Sequence, residues 1–141
     1  MNIKLAETPQ EKELAFHVRT VVFVEEQKVP PEEELDHHDE TAIHFICYQG
    51  ETPIAASRLR FVDEYGKLER ICVLKEERGK SHGAQLIQAM EAEILHNGYT
   101  KAKLNAQTHA ENFYKRLGYE TVSGEFLDAG IPHVTMIKKL T

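Results

Sequence analysis

Residues 68 to 86 read Leu-Glu-Arg-Ile-Cys-Val-Leu-Lys-Glu-Glu-Arg-Gly-Lys-Ser-His-Gly-Ala-Gln-Leu, an apolar strand pattern that gives way to a short charged loop and then to small residues heading an amphipathic helix. That succession builds a backbone cradle for phosphate. The N–H groups of a helix's first turn lack intrahelical acceptors and sit at the positive end of its dipole. Arg78, Lys80 and His82 add local positive charge, and Gly83 lets the backbone approach a ligand closely. The expected ligand is a phosphate-bearing cofactor. Two other patterns are incomplete. Gly79-Lys80-Ser81 spells the end of a nucleotide-binding P-loop, but the position where that pattern needs its first glycine holds Leu74. Asp36-His37-His38-Asp39 offers metal-ligand types, yet consecutive side chains diverge and no helical i, i+4 histidine pair is present, so an exposed turn without metal is expected.

The elements that must hold the cradle follow from patterning. Residues 2–6 read as a strand; Pro9 opens a helix carrying Leu14, Phe16, Val18, Val21, Val22 and Phe23, which Pro30 and Pro31 end. The acidic stretch that follows, with Glu32, Glu33, Glu34 and Asp36, reads as a solvated surface loop with a helical turn. Strands are expected at 42–49, 53–62 and 67–74, with turns at Gly50 and at 63–66, as an antiparallel meander. A helix over 81–96 repeats Ala84, Ile87, Met90, Ile94 and Leu95 at helical spacing and stops at Asn97-Gly98. A strand at 101–107, a short helix over 110–117 and strands at 119–123 and 133–139 finish the chain.

With 141 residues, 41% of them hydrophobic, the chain suits one domain spanning 1–141. A net charge of −6 disfavours nucleic acid as a partner. The N-terminal stretch has no apolar signal core and no run is long enough for a membrane span, so a cytoplasmic protein without a membrane partner is expected. Cys47 and Cys72 fall in apolar strand patterns and read as reduced core thiols.

The element order, Leu-Glu-Arg-Ile-Cys-Val at 68–73, the loop at 78–84 and Ala-Glu-Asn-Phe-Tyr-Lys-Arg-Leu-Gly-Tyr at 110–119 together resemble the GCN5-related N-acetyltransferase (GNAT) superfamily. Val-Phe-Val-Glu-Glu-Gln-Lys-Val-Pro at 22–30, Leu-Asn-Ala-Gln at 104–107 and Gly-Ile-Pro-His-Val at 130–134 are similar to its bacterial YjcF/ElaA-type branch. The resemblance implies an α/β (α+β) domain, a mixed central sheet of six to seven strands flanked by about four helices. It also implies acetyl-CoA as cosubstrate and an amine acceptor, small molecule or protein, and it leaves room for a homodimer. On this likeness, backbone amides of Arg78, Gly79, Lys80, Ser81, His82, Gly83 and Ala84 wrap the coenzyme A pyrophosphate. Ser81 stands where the family has its first glycine; its hydroxyl is expected to cap the helix, and its Cβ opposes a positive φ. Ile71, Cys72 and Val73 pair with the pantetheine arm, and an N–H there polarises the thioester carbonyl.

Tyr114 matches the tyrosine that protonates the departing thiolate, while spacing alone would make it helix-face packing. His109 stands where the family often has asparagine, with Asn105 and Asn112 as substitutes. Glu69 is the candidate general base, weighed equally against a simple ion pair beside Arg70; Glu25, Glu26 and the acidic loop lie on the acceptor side, where they could attract a cationic amine. Cys72 competes as an acyl-carrying nucleophile and is disfavoured by the absence of a nearby histidine in sequence. His133 fits either the acceptor pocket or a plain edge strand. Direct acetyl transfer to an amine is the reading, with a non-catalytic acyl-CoA-binding module as the alternative and a subunit associating through a strand edge as a weaker third.

Overall fold

The computed structural model describes residues 1–141. Strand β1 (Asn2–Leu5) leads into α1 (Pro9–Arg19). The helix starts where it does because Thr8 caps it, its hydroxyl accepting from Glu11 N at 3.1 Å while the Glu11 carboxylate accepts from Thr8 N at 3.0 Å, with Pro9 in the first turn. The helical pattern expected to run on to Pro30 changes form: Thr20–Glu26 is π-helical. Its β-branched run is a poor α-former, Thr20 Oγ1 donates to Phe16 O at 2.9 Å, and Gln27 N closes a five-residue step onto Val22 O at 3.0 Å.

A four-residue helix α2 (Pro31–Glu34) and a 3₁₀ turn (His37–Glu40) precede the meander β2 (Ile43–Gln49), β3 (Thr52–Val62) and β4 (Tyr65–Val73). Then come α3 (His82–His96), β5 (Lys101–Gln107), α4 (Glu111–Arg116), β6 (Glu120–Thr121), β7 (Phe126–Asp128) and β8 (Ile131–Lys139). The eight-stranded sheet runs β1-β2-β3-β4-β5-β8-β6 with β7 also on β8, and only β4 and β5 pair in parallel. The sequence reading of seven strands lacked β7. It also placed Gly66 in a turn, whereas Gly66 is the second residue of β4, facing Ile94 of α3.

One face of the sheet packs on α3, where Leu86, Ile87, Met90 and Ile94 are essentially fully buried against Phe45, Leu59, Leu68 and Leu104. Each such side chain stabilises the fold by about 1.5–3 kcal/mol through burial. The other face holds a smaller cluster under α1, with Ala15, Val18, Val22, Ile46 and Cys72.

Candidate functional site

The parallel β4–β5 pairing lasts only from Gly66–Ala102 to Leu68–Leu104. Beyond it the strands part, β5 following β8 as far as Gln107–His133 while β4 stays with β3. β4 also bulges there: Arg58 pairs with Glu69 and Ala56 with Cys72, so two residues, Arg70 and Ile71, stand opposite Ser57, and Arg70 takes φ +56°. The split leaves the β5-facing backbone of 69–73 without a strand partner. It opens a cavity of about 210 Å³ whose walls include Leu68 to Ile71, Asn105, Tyr114 and His133.

A second cavity, of about 410 Å³, lies at the start of α3 and is lined by Val73, Arg78, Gly79, Ser81, His82, Gly83 and Ala84. The amides of the first helical turn open here, and Gly83 leaves its Cβ position 3.7 Å from Phe113 Cζ and 4.0 Å from Val73 Cγ2, at ordinary contact distance. Ser81 accepts the left-handed conformation that the sequence opposed, φ +66° and ψ +14°, and its hydroxyl makes no cap bond. The expected side-chain charge is spent elsewhere. Arg78 grips Glu26 with two bonds of 2.7 Å and donates its Nε to Val73 O at 2.9 Å. Lys80 is exposed, 3.4 Å from Glu77, and does not line the cavity. His82 is buried with both ring nitrogens unpartnered, Nε2 lying 3.6 Å from Glu77 Oε1. The groups that open on this cavity are therefore largely backbone amides, a donor set that would suit a pyrophosphate such as that of coenzyme A.

Tyr114 packs edge-on to Phe113 and Tyr119, and burial pushes its phenol up to about 12, so it stays protonated at neutral pH. Asn105 lines the same cavity with Oδ1 accepting from Thr135 Oγ1 at 2.9 Å, which leaves its N–H donors available. Asn112 is exposed and lines neither cavity. Ile71 and Val73 sit along the split edge, whereas the Cys72 thiol points through the sheet into the α1 cluster. Burial pushes that thiol up to about 12, with a weak bond to Ala56 O, and an acyl-carrying thiolate is not available there.

Glu69 reaches the cavity that holds Tyr114 but is not placed as a free base. Its partner is not Arg70: Oε1 accepts from Arg58 Nε at 2.9 Å and Arg60 Nε at 2.7 Å, Oε2 accepts from Arg60 Nη2 at 3.0 Å, and Lys67 stands 3.2 Å away. Although burial works against ionisation, these cations hold the carboxyl at about 2, too weak a base to deprotonate an ammonium. The acidic loop differs from a solvated run in the same way. Glu34 is fully buried on Arg19 at 2.8 Å, Asp36 and Asp39 bond Arg58 at 2.7 and 3.1 Å, and Arg70 donates to the carbonyls of Glu33 and Glu34. The Asp36 and Asp39 carboxylates of the Asp36–Asp39 turn are thus committed to arginines. Glu25, Glu26, Glu32 and Glu33 keep the exposure expected of the run, with Glu26 paired to Arg78 at the surface.

Several cavity residues carried no sequence signal of their own. Phe23 and Gln27 reach the cavity because the π-helical segment resets their phase, and Gln107 ties Gln27 to His109 with bonds of 2.9 and 2.7 Å. Asp128 arrives on β7, a strand too short to announce itself.

A mixed sheet split at its one parallel pair, with an amide cradle at one end of the split and a half-buried tyrosine at the other, defines an acyltransferase of the N-acetyltransferase class. The sequence pattern of the acetyltransferase (GNAT) domain matches residues 6–140, and the chain belongs to that family. It is 47% identical over 139 residues to the uncharacterized N-acetyltransferase YjcF of Bacillus subtilis, covering 98% of this chain and 99% of that one. Escherichia coli ElaA superposes with a TM-score of 0.86 at 24% identity, covering 98% of this chain and 99% of ElaA. A PaiA N-acetyltransferase of Thermoplasma acidophilum, solved in complex with coenzyme A, superposes with a TM-score of 0.73 at 16% identity, covering 99% of each chain. These last two likenesses establish the fold. No helix is long and apolar enough to cross a membrane.

Proposed function

We propose that the protein transfers an acetyl group from acetyl-CoA directly to an amine. The observation that carries this reading is the continuity of one edge: Val73 lines the amide cradle, while Ile71 and Glu69, on the same unpaired stretch of β4, line the cavity that holds Tyr114. Amides of His82, Gly83 and Ala84 hold the pyrophosphate, and the edge 71–73 pairs with the pantetheine amides as a neighbouring strand would. A β4 N–H polarises the carbonyl, Asn105 offers its amide hydrogens, and Tyr114 donates its proton to the departing sulfur. Acetyl-CoA supplies the acyl group as an activated thioester. Holding thioester and amine in line can remove up to about 7–11 kcal/mol of barrier.

An amine acceptor, small or borne on a protein, suits the charge balance of the cavity. Arg70 is occupied by the loop carbonyls, whereas Asp128 forms no ion pair and stands exposed at the rim as a counter-charge for an incoming ammonium. Two free, buried thiols suit a reducing, cytoplasmic setting.

Thermal unfolding with excess acetyl-CoA, against ATP as control, tests the cofactor. Ligand at ~100 times its dissociation constant should add roughly 2.7 kcal/mol, a shift of several degrees, and ATP should add nothing comparable. Tyr114→Phe is then expected to keep that shift while lowering kcat about 10²-fold. No shift with acetyl-CoA overturns the reading; a shift without turnover on any amine points to the acyl-CoA-binding module instead.

A further inference from the structure

The cavity that holds Tyr114 is also lined by an imidazole. His133 sits on β8, opposite Gln107 of β5 and Phe126 of β7, and is 8% exposed. Its Nδ1 lies 2.6 Å from the carbonyl oxygen of Ile131. A carbonyl oxygen only accepts, so Nδ1 carries the hydrogen, and in the neutral ring Nε2 is left with the lone pair. Nε2 has no hydrogen-bond partner in the protein, is not sealed from solvent, and belongs to a ring that lines the cavity with Tyr114. Phe126 lies nearly parallel to that ring, 6.0 Å between centroids and 24° between planes, so a bond and a stack together fix its orientation.

We infer that His133 is the general base that takes the proton from the acceptor amine. The assignment rests on the reading of the site as an acetyl-CoA-to-amine transferase. Nε2 takes one proton from the ammonium and passes it to solvent, which frees the nitrogen lone pair. That pair forms the C–N bond at the thioester carbonyl, the C–S bonding pair leaves with sulfur, and sulfur takes the Tyr114 proton. The second proton shed by nitrogen returns through solvent to Tyr114, so the turnover yields one amide, one thiol and one proton. No other ionisable group on the cavity is as well placed. Glu69 and Arg70 of β4 are held in ion pairs, His109 spends Nε2 on Gln107 and is exposed, and Asp128 of β7 is exposed at the rim.

His133→Asn separates the base from its structural contacts, because the asparagine amide can still donate to Ile131 O but cannot take a proton. With acetyl-CoA and the best of a panel of monoamines, diamines and a peptide with a free N-terminus, the variant should lose about 10²-fold in kcat/KM at pH 7. The deficit should close as pH approaches the ~10 at which an alkylammonium deprotonates by itself, and the acetyl-CoA thermal shift should be unchanged. A deficit that is the same at every pH, or no deficit, overturns the assignment while leaving the transferase reading intact. Absence of wild-type turnover on every amine removes both. The ¹⁵N resonances of the wild-type imidazole give an answer that needs neither substrate nor variant: Nδ1 protonated and Nε2 bare supports the base, and the opposite tautomer overturns it.

Discussion

Ser81 shows how a single backbone angle can be hidden from a sequence. Its type predicts a capping hydroxyl, but it stands at φ +66° with no cap bond, in the conformation a glycine adopts without strain. The cradle requires that turn because the chain must reverse from the charged loop into α3, and the helix has enough apolar burial to hold a strained residue there. A non-glycine residue in this region costs roughly 1–2 kcal/mol, and a glycine returns about 0.5–1 kcal/mol of that through unfolded-state entropy. Ser81→Gly should therefore stabilise the protein by several tenths of a kcal/mol up to about 1 in denaturant unfolding, with acetyl-CoA affinity unchanged because the amide remains. A fall in affinity would show that the hydroxyl itself touches the cofactor. Glu69 is the complementary case: its identity and its place before the cradle were legible, but two of its cationic partners, Arg58 and Arg60, come from β3 by cross-strand register, which one sequence does not display.

At the level of elements, β2 to β5 and α3 were legible because their burial alternates or recurs at the expected period, as in Ala102, Leu104 and Ala106 of β5. What escaped was set by partners. β7 is three residues whose strand character comes from pairing Phe126 with His133 on β8, and the π-helical step after Arg19 is a local change of phase inside a run that reads as ordinary helix. Gly66 belongs to the same class. Beside an acidic turn it looks like a loop glycine, yet a Cβ there would clash with the Ile94 side chain, so its role is to let α3 lie close on β4 at the first β4–β5 pair. Gly66→Ala should cost about 1–3 kcal/mol by overpacking, seen as a drop of several degrees in Tm. Combined with Ile94→Ala, the loss should be less than the sum of the two single losses, since the second change vacates the space the first one needs. Strict additivity would mean that the helix does not press on this strand.

Across the whole molecule, one ion network joins α1, the 31–40 loop, β3 and Glu69 on the wall of the Tyr114 cavity. Arg19 and Arg58 are 0% and 2% exposed, and they are matched by Glu34, Asp36, Asp39 and Glu69. Apart from Glu69, which meets Arg58 across the β3–β4 hairpin, the partners lie 15 to 22 residues apart, so the network acts as a clasp that closes only when the domain is folded. Removing one partner of such a pair typically costs 3–5 kcal/mol, because the survivor is left buried and unpaired. The clasp is also sensitive to acid. Glu69 and Asp39 are held at about 2 by their arginines, against ordinary values of 4.5 and 3.8, so folding favours their ionised forms. Their stabilisation is complete above about pH 4.5 and is lost as pH falls toward 2. Tm should be nearly flat from neutral pH down to about 5 and fall steeply below 4.5. Glu69→Gln should lower stability at pH 7 and flatten that fall. Hydrogen exchange at pH 4 should release residues 31–40 before β5 and β8, because the loop is held by the clasp while those strands are held by the apolar core. A Tm that does not change between pH 5 and 3 would mean that the clasp contributes nothing net to folding, and that the 31–40 loop is held by packing alone.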